Sequence, residues 1–401
     1  MNLFQTELRQ RLDDLREQNL FRELRRVDSA QGTRIQIGGK TLLNFSSNDY
    51  LGLANHPAPK AAAIHAIEKF GAGAGASRLV CGSLAPFHEL EEALAQFKKT
   101  EAALTFSSGY ATALGTICAL AGKGDIIILD KLVHASIVDA AKLSGAKLRI
   151  FAHNDLNDLE NKLRWANANK SAIGQRPSAI LIITESIFSM DGDAAPLRET
   201  VELKNKFGAW LMADEAHATG IFGQTGRGLA DELGVSDQIE IQMGTLGKAF
   251  GASGGYICGS RTLIDFLVNR ARSFIFSTAP IPASAAAATA GVQIAQSNEG
   301  ETRRKILRER INQLQSAIGN RQSAIPSAIV PLILGDENKA LSAATKLREQ
   351  NIFVPAIRYP TVARGAARLR ITLTAAHSAD DVSTLVDALK KIGNRQSAIG
   401  N

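Results

Sequence analysis

Long apolar runs, paired cysteines and blocks of one charge are all missing from this 401-residue chain. No stretch approaches the roughly 20 apolar residues that a membrane-spanning helix needs. The three cysteines, Cys81, Cys118 and Cys258, are odd in number, far apart and without a CxxC pair, which argues against a disulfide framework or a zinc site. The first residues, MNLFQTELRQRLDDLREQNLFRELRR, are charged and heptad-like where a signal peptide would be apolar, so they read as a helix and a cytoplasmic location is expected. Lysine and arginine number 46 against 39 acids, a net charge of +7, but they are dispersed. That dispersal argues against nucleic acid as a partner and leaves an anionic small molecule or an acidic carrier protein as the reason for the excess.

What is present is a rhythm of short apolar runs between about 100 and 260: AALTF, DIIILD, KLRIFAH, AILIITES, AWLMADEAH, IEIQMG and GYICG. Each is continuously apolar, as strands buried on both faces are, and the spacing leaves room for crossover helices. The expectation is an α/β fold with a mostly parallel sheet in a large domain spanning 46–285. Residues 1–45 read as a helical or extended N-terminal segment, 286–391 as a small C-terminal α+β domain, and 392–401 as a mobile tail. The octapeptide IGNRQSAI occurs at 318–325 and 392–399, with a relative, SAIGQRPSAI, at 171–180. The irregular spacing excludes a solenoid, and the copies read as tolerated insertions without chemistry.

Several runs end in polar residues at their carboxyl side: Ser107 and Ser108, Asp130, Glu185, Asp214, Thr245. Ligands of open α/β sheets bind at that edge. Lys248 follows one such run among small residues, GTLGKAFGASGGY, where partial desolvation favours a neutral, nucleophilic amine. Alone it reads more readily as a structural lysine. Asp214 ends another run and is placed to pair with a ring-nitrogen cation. Asp214-x-x-His217 also has the spacing of two metal ligands, but no third is near, so no metal is expected. Ser108 and Gly109 stand before a predicted helix, where free N–H groups favour a phosphate; simple N-capping by Ser108 is an equal reading. A Schiff-base lysine, an acid for a pyridinium nitrogen and a phosphate cup together describe a site for pyridoxal 5′-phosphate (PLP).

The order of those features resembles the aspartate-aminotransferase-like PLP enzymes of fold type I. NFSSNDYLGL, SRLVCGS…HELEE, HAS, ESIFSMDGD, DEAHATG, GTLGKAFG and RLRITLTAAH, in that order over nearly the whole chain, resemble the α-oxoamine synthases. The resemblance implies a PLP-dependent acyltransferase acting as a homodimer with shared active sites. The wording of NFSSNDYLGL and AIRYPTVARGAARLRITLTAAH points to the biotin-pathway branch, which condenses L-alanine with a pimeloyl thioester of coenzyme A or a carrier protein. A glycine-using branch is the alternative. By the same resemblance Lys248 would bind the cofactor and move the substrate Cα proton, and Asp214 would keep the ring nitrogen protonated. His217 and Ser189 would serve the phenolic oxygen, and His134, otherwise a turn histidine, would stack on the ring. Ser108, Gly109 and Thr245 would hold the phosphate, with Ser277 and Thr278 reaching that of a neighbouring subunit. Asn48 and Arg358 would read the amino-acid carboxylate, and Arg22 and Thr361 would be outer substrate contacts. Glu185 would be a supporting carboxylate behind them.

Two other classes remain at this level. GAGAGA at 71–76, with Glu91 or Glu92 downstream, suggests a nicotinamide site, but such a fingerprint must follow a strand and here follows the helix-like KAAAIHAIEKF. A catalytically dead PLP-fold binding protein is opposed by the intact Lys248, Asp214 and His217.

Overall fold

The computed structural model describes residues 2–170, 172–173, 176–319 and 325–397. It divides into two compact units: Asn48–Ser189 with Asp193–Leu307, and Met1–Ser47 with Met190–Gly192 and Arg308–Asn401.

The larger unit is built on a seven-stranded sheet. Its strands are β1 (Ala102–Phe106), β2 (Ile126–Asp130), β3 (Lys147–Phe151), β4 (Ile180–Glu185), β5 (Trp210–Asp214), β6 (Ile241–Thr245) and β7 (Gly255–Gly259). All seven apolar runs are therefore strands. Their spatial order is β1-β7-β6-β5-β4-β2-β3, and only β7 runs antiparallel to its neighbours. Helices link the parallel strands, as parallel pairing requires. β2 and β4 are buried along their whole length, whereas β3, at the edge, leaves Ile150 half exposed. This is the doubly covered α/β sheet of fold type I. Residues 71–76 follow the helix Pro57–Phe70 and open no further helix, which removes the structural basis for a nicotinamide fingerprint.

The second unit takes both ends of the chain. Lys40–Asn44 pairs antiparallel with Arg34–Ile37 and parallel with Ile352–Phe353. Ile329–Gly335 and Ala356–Ile357 flank Ala367–Thr372, both antiparallel to it. The N-terminal segment is thus not a separate body, since its strand completes a sheet with residues some 300 positions later. Residues 286–307, expected in the small domain, belong to the large unit. The Ala-rich helix Pro282–Gln296 packs on the helices Pro57–Phe70 and Ala85–Lys98 there. The last helix, Ala379–Ser397, runs through the first part of the expected tail, and 398–401 lie outside the described residues. So do parts of the repeats: 171, 174–175 and 320–324. The described remainder of the first copy, Ala172–Ile173 and Arg176–Pro177, is a small hairpin. No helix among the described residues is long and apolar enough to cross a membrane.

Candidate active site

Parallel register sets the site. Glu185 and Asp214, the last residues of β4 and β5, are direct neighbours, and Met243 of β6 flanks Asp214 on its other side. Thr245 ends β6 two residues later, so the turn carrying Lys248 rises from the same edge. On the antiparallel side Thr245 is opposite Gly255, and Gly255 is opposite Phe106. That brings the Ser107–Gly109 turn to Thr245.

Lys248, half-buried, places Nζ 2.9 Å from Nε2 of His217. The other ring nitrogen of His217, Nδ1, lies 2.5 Å from the hydroxyl of Tyr50, which is fully buried and also 3.3 Å from Asn48 Oδ1. Lys248, His217, Tyr50 and Asn48 therefore form one hydrogen-bonded line. Two proton arrangements satisfy it. When Tyr50 donates to Asn48, Nδ1–H donates to Tyr50 and Nε2 accepts from a Lys248 ammonium. When Tyr50 donates to Nδ1, Nε2–H donates to a Lys248 amine.

Asp214 is buried, and its Oδ1 accepts from the Ala216 N–H. Burial raises its pKa, and the charge of Lys248 works against that rise. A buried carboxyl at the edge of a ligand crevice fits a cationic ring nitrogen, which would restore its charge. Burial also raises Glu185 well above the ordinary carboxyl range, and the neighbouring Asp214 adds to the shift. Its Oε2 accepts from Ser189 N at 3.2 Å, while Oε1 has no hydrogen-bond partner among the described residues.

The turn after β1 has the form of an anion cup. Ser108 caps the helix Gly109–Leu120, its Oγ accepting from Ala111 N at 3.0 Å, which leaves its own proton free to donate. The N–H groups of Gly109 and Tyr110 open the helix and have no acceptor within it. Glycine is required beside it: a Cβ on Gly255 would come within 2.9 Å of the Gly109 nitrogen and 2.4 Å of Thr112 Oγ1. Thr245 stands next to the cup, but its hydroxyl donates to Gly254 O at 2.9 Å and accepts from Gly247 N, so in this arrangement its proton is already engaged.

His134 stands at a helix start, as the turn reading expects. It caps the helix Ala135–Ser144, with Nδ1 accepting from Ser136 N and 2.8 Å from Ser136 Oγ, which leaves Nε2 as its outward nitrogen. Desolvation lowers its pKa; Asp214 opposes and Lys248 reinforces that shift. Among the expected residues, Lys248, Asp214, His217, Asn48, Ser189 and Glu185 join this group, as does His134. Ser277 is half-buried, and Thr278 is exposed and bridges to Ser77. Arg22, Arg358 and Thr361 belong to the second unit. There Arg22 donates to Tyr359 O, Arg358 donates to Asn19 O and Phe21 O, and Thr361 N donates to Arg358 O.

Two participants escaped sequence reasoning. Tyr50 lies 167 positions from His217, and only its place in NDYLGL next to Asn48 hinted at it. His153, at the end of KLRIFAH, bridges Asp130 (3.0 Å) and Asp193 (2.8 Å), tying the end of β2 to the turn after β4. Among the described residues no group of three or more His, Cys, Asp or Glu is placed to hold a metal.

A lysine, a buried acid and an anion cup on the carboxyl ends of one sheet define a known architecture, and the family model for aminotransferase class I and II matches residues 40–389. The chain belongs to the class I and II aminotransferase family. Among its relatives in that family, the 8-amino-7-oxononanoate synthase of Geotalea daltonii is 46% identical over 392 residues, covering 97% of this chain and 98% of that protein. That of Anaeromyxobacter dehalogenans is 47% identical, covering 95% and 94%. Of solved family structures, a serine palmitoyltransferase from S. paucimobilis with bound PLP superposes with a TM-score of 0.90 at 29% identity, covering 99% and 100% of the two chains. The 8-amino-7-oxononanoate synthase of Francisella tularensis gives 0.73 at 28% identity, covering 89% and 98%. Likeness of fold does not separate the two activities; sequence identity favours the second.

Proposed function

We propose that this chain is a PLP-dependent acyltransferase of biotin synthesis. It condenses L-alanine with the pimeloyl thioester of coenzyme A, or of a carrier protein, to give 8-amino-7-oxononanoate, free thiol and carbon dioxide. The observation that carries the reading is the meeting of Lys248, His217 and Asp214 at the ends of adjacent strands, beside an anion cup. The substrates are taken from the relatives, 42–47% identical over nearly the full length.

PLP, when bound, supplies an aldehyde that condenses with amines and a cationic ring that accepts electrons from the substrate carbon. The residues present fit it. Asp214 would face the ring nitrogen and hold its proton. Ser108, with the N–H groups opening the following helix, would hold the phosphate dianion, where the helix dipole favours negative charge. Thr245 would join after releasing Gly254 O. Lys248 would give its amine to the aldehyde and, once displaced by L-alanine, take the proton from the substrate Cα and later return one. The His217–Tyr50–Asn48 line lets Lys248 serve in either state, since a shift of protons along it converts an ammonium partner into an amine partner. His134, through Nε2, would cover the ring face and exclude water. Ser189 would reach the phenolic oxygen with His217. Asn48 and Arg358 would orient the carboxylate that is lost, with Arg22 and Thr361 outside them. Homodimerisation, Ser277 and Thr278 serving the neighbouring subunit's phosphate, and a cytoplasmic location complete the reading.

The test is turnover by the PLP-loaded protein with L-alanine, glycine or serine, each with and without pimeloyl-CoA. Thiol release with L-alanine and pimeloyl-CoA, exceeding that with glycine or serine, is expected. Preference for glycine would transfer the chain to the glycine-using branch.

A further inference from the structure

His153 and Asn154 follow β3 at the sheet edge and bind two carboxylates on separate segments. Nδ1 of His153 donates to Asp130 Oδ1 at 3.0 Å, and Nε2 donates to Asp193 Oδ2 at 2.8 Å. Ionised carboxylates only accept, so both ring nitrogens carry protons. Burial opposes the resulting charge, but the hydrogen bonds to Asp130 and Asp193 outweigh it and raise the pKa to about 10. Asn154 repeats the bridge. Its N–H donates to Asp130 Oδ2 at 2.9 Å, and its side-chain amide donates to Asp193 Oδ2 at 2.9 Å and to Ala194 O at 3.2 Å.

Each carboxylate anchors a turn that delivers a site residue. Asp130, the last residue of β2, also accepts from Leu132 N at 2.8 Å, and His134 stands four positions beyond it at the start of the helix Ala135–Ser144. Asp193 closes the hairpin that carries Ser189: its carbonyl accepts from Phe188 N at 3.0 Å, and Ile187 and Ala194 pair as an isolated bridge. The ring of His153 meets that of Phe188 edge to face, with centroids 4.3 Å apart. His153 thus touches the outgoing side of the hairpin through Phe188, the returning side through Asp193, and the turn after β2 through Asp130. All of these residues belong to the larger unit. Two turns from different strands, each bearing a group assigned to the PLP ring, need a common reference if their spacing is to hold within about 0.5 Å. We infer that His153 is that reference, a positioning residue whose bonds to Asp130 and Asp193 set the separation of His134 and Ser189. The inference rests on the site proposed above and deepens it.

The experiment uses PLP-loaded protein well below its melting temperature. It compares the wild type with His153→Leu, which loses both bonds, and His153→Gln, which keeps an amide donor. The readouts are the visible circular dichroism per bound PLP, the PLP dissociation constant, and kcat and KM for L-alanine with pimeloyl-CoA. We expect His153→Leu to weaken the dichroism. It should also raise the PLP dissociation constant and lower kcat, each by roughly 10-fold, against the roughly 100-fold that a 1 Å misplacement can cost. KM for L-alanine should stay within about 3-fold of the wild type, since no contact with the amino acid is removed. Should His153→Leu not fold, His153→Gln carries the same comparison with smaller losses. In a His134→Ala, Ser189→Ala background, His153→Leu should add little, because its effect passes through those two side chains. A lower melting temperature with wild-type dichroism, PLP affinity and kcat would overturn the inference, by making His153 a structural tie only. Losses that add in full to those of the double variant would overturn it as well. If His134→Ala and Ser189→Ala leave dichroism and PLP affinity unchanged, the assignment of those two residues fails and the positioning role fails with it. If both readouts change as expected but the wild type does not turn over pimeloyl-CoA, the positioning role stands and the proposed reaction fails.

Discussion

Two lysines of the large unit show what separates a structural ammonium from a usable amine. Asp214 and Glu215 are consecutive, and side chains at the end of a strand alternate between faces. Glu215 therefore points away from the ligand edge and takes Lys98, whose Nζ lies 2.5 Å from Glu215 Oε2 and 2.5 Å from Arg227 O. The second oxygen of Glu215 accepts from Ala230 N, and Gly228, at φ 130°, leaves room for the carboxylate: a Cβ there would stand 2.5 Å from it. Lys98 is a cation locked by an anion and a carbonyl. Lys248 is half-buried and meets an imidazole, whose ring nitrogen can either accept or donate a hydrogen bond. A carboxylate in contact fixes a lysine as ammonium; an imidazole leaves both states within reach.

Substitution at either lysine should break the comparison in opposite ways. Lys248→Ala is expected to remove the imine absorption formed with PLP and to lower turnover by at least about 1,000-fold, within the range for a positioned proton-transfer group. Its melting temperature should remain near that of the wild type, and a variant that kept the absorption band would unseat the assignment. Lys98→Met should leave the PLP absorption in whatever protein folds but cost about 3–5 kcal/mol in denaturant unfolding, because Glu215 is left buried and unpaired. Adding Glu215→Met should recover much of that loss, as replacing both members of a buried pair does. Tyr50→Phe tests the far end of the Lys248 line. A fall of roughly 10-fold in kcat, with a shifted pH profile and little change in the alanine KM, is the size of one lost hydrogen bond.

The mildest case is His153, held between two carboxylates as Lys98 is held by one. Burial alone would lower its pKa, but hydrogen bonds to Asp130 and Asp193 overrule it and raise the value from 6.5 to about 10. Because the folded value lies above the unfolded one, the stabilisation is complete below pH 6.5 and disappears as pH rises through about 10. His153→Gln should flatten the decline in stability across that window, measured by urea unfolding at several pH values. An unchanged slope would mean that His153 is not the group responsible.

The strands were legible because each is a short run buried on both faces, which leaves no competing period in the pattern. The chemistry-bearing residues at their ends were legible for the same reason: once DIIILD or AWLMAD is a strand, its carboxyl end is located. The partners of those residues were not. Nothing in the spacing of Tyr50 and His217 announces contact, because their meeting depends on where the chain turns before the first parallel strand. His153 was read as the tail of a strand, and its two acids lie on different segments. The domain boundary failed for a packing reason. Pro282–Gln296 is rich in alanine, and such a helix fits closely against two others, so it stays with the larger unit that holds them.

The strand Lys40–Asn44 has a further consequence. One of its edges is satisfied at once by Arg34–Ile37, but the other pairs with Ile352–Phe353, roughly three-quarters of the chain later. On the ribosome that edge waits, with open N–H and C=O groups, while the whole seven-stranded sheet is made and can close. Newly made protein is therefore most vulnerable to wrong pairing after the larger unit has folded and before the final helix emerges. A truncation ending before Ile352 should collect in inclusion bodies even though its PLP sheet is complete.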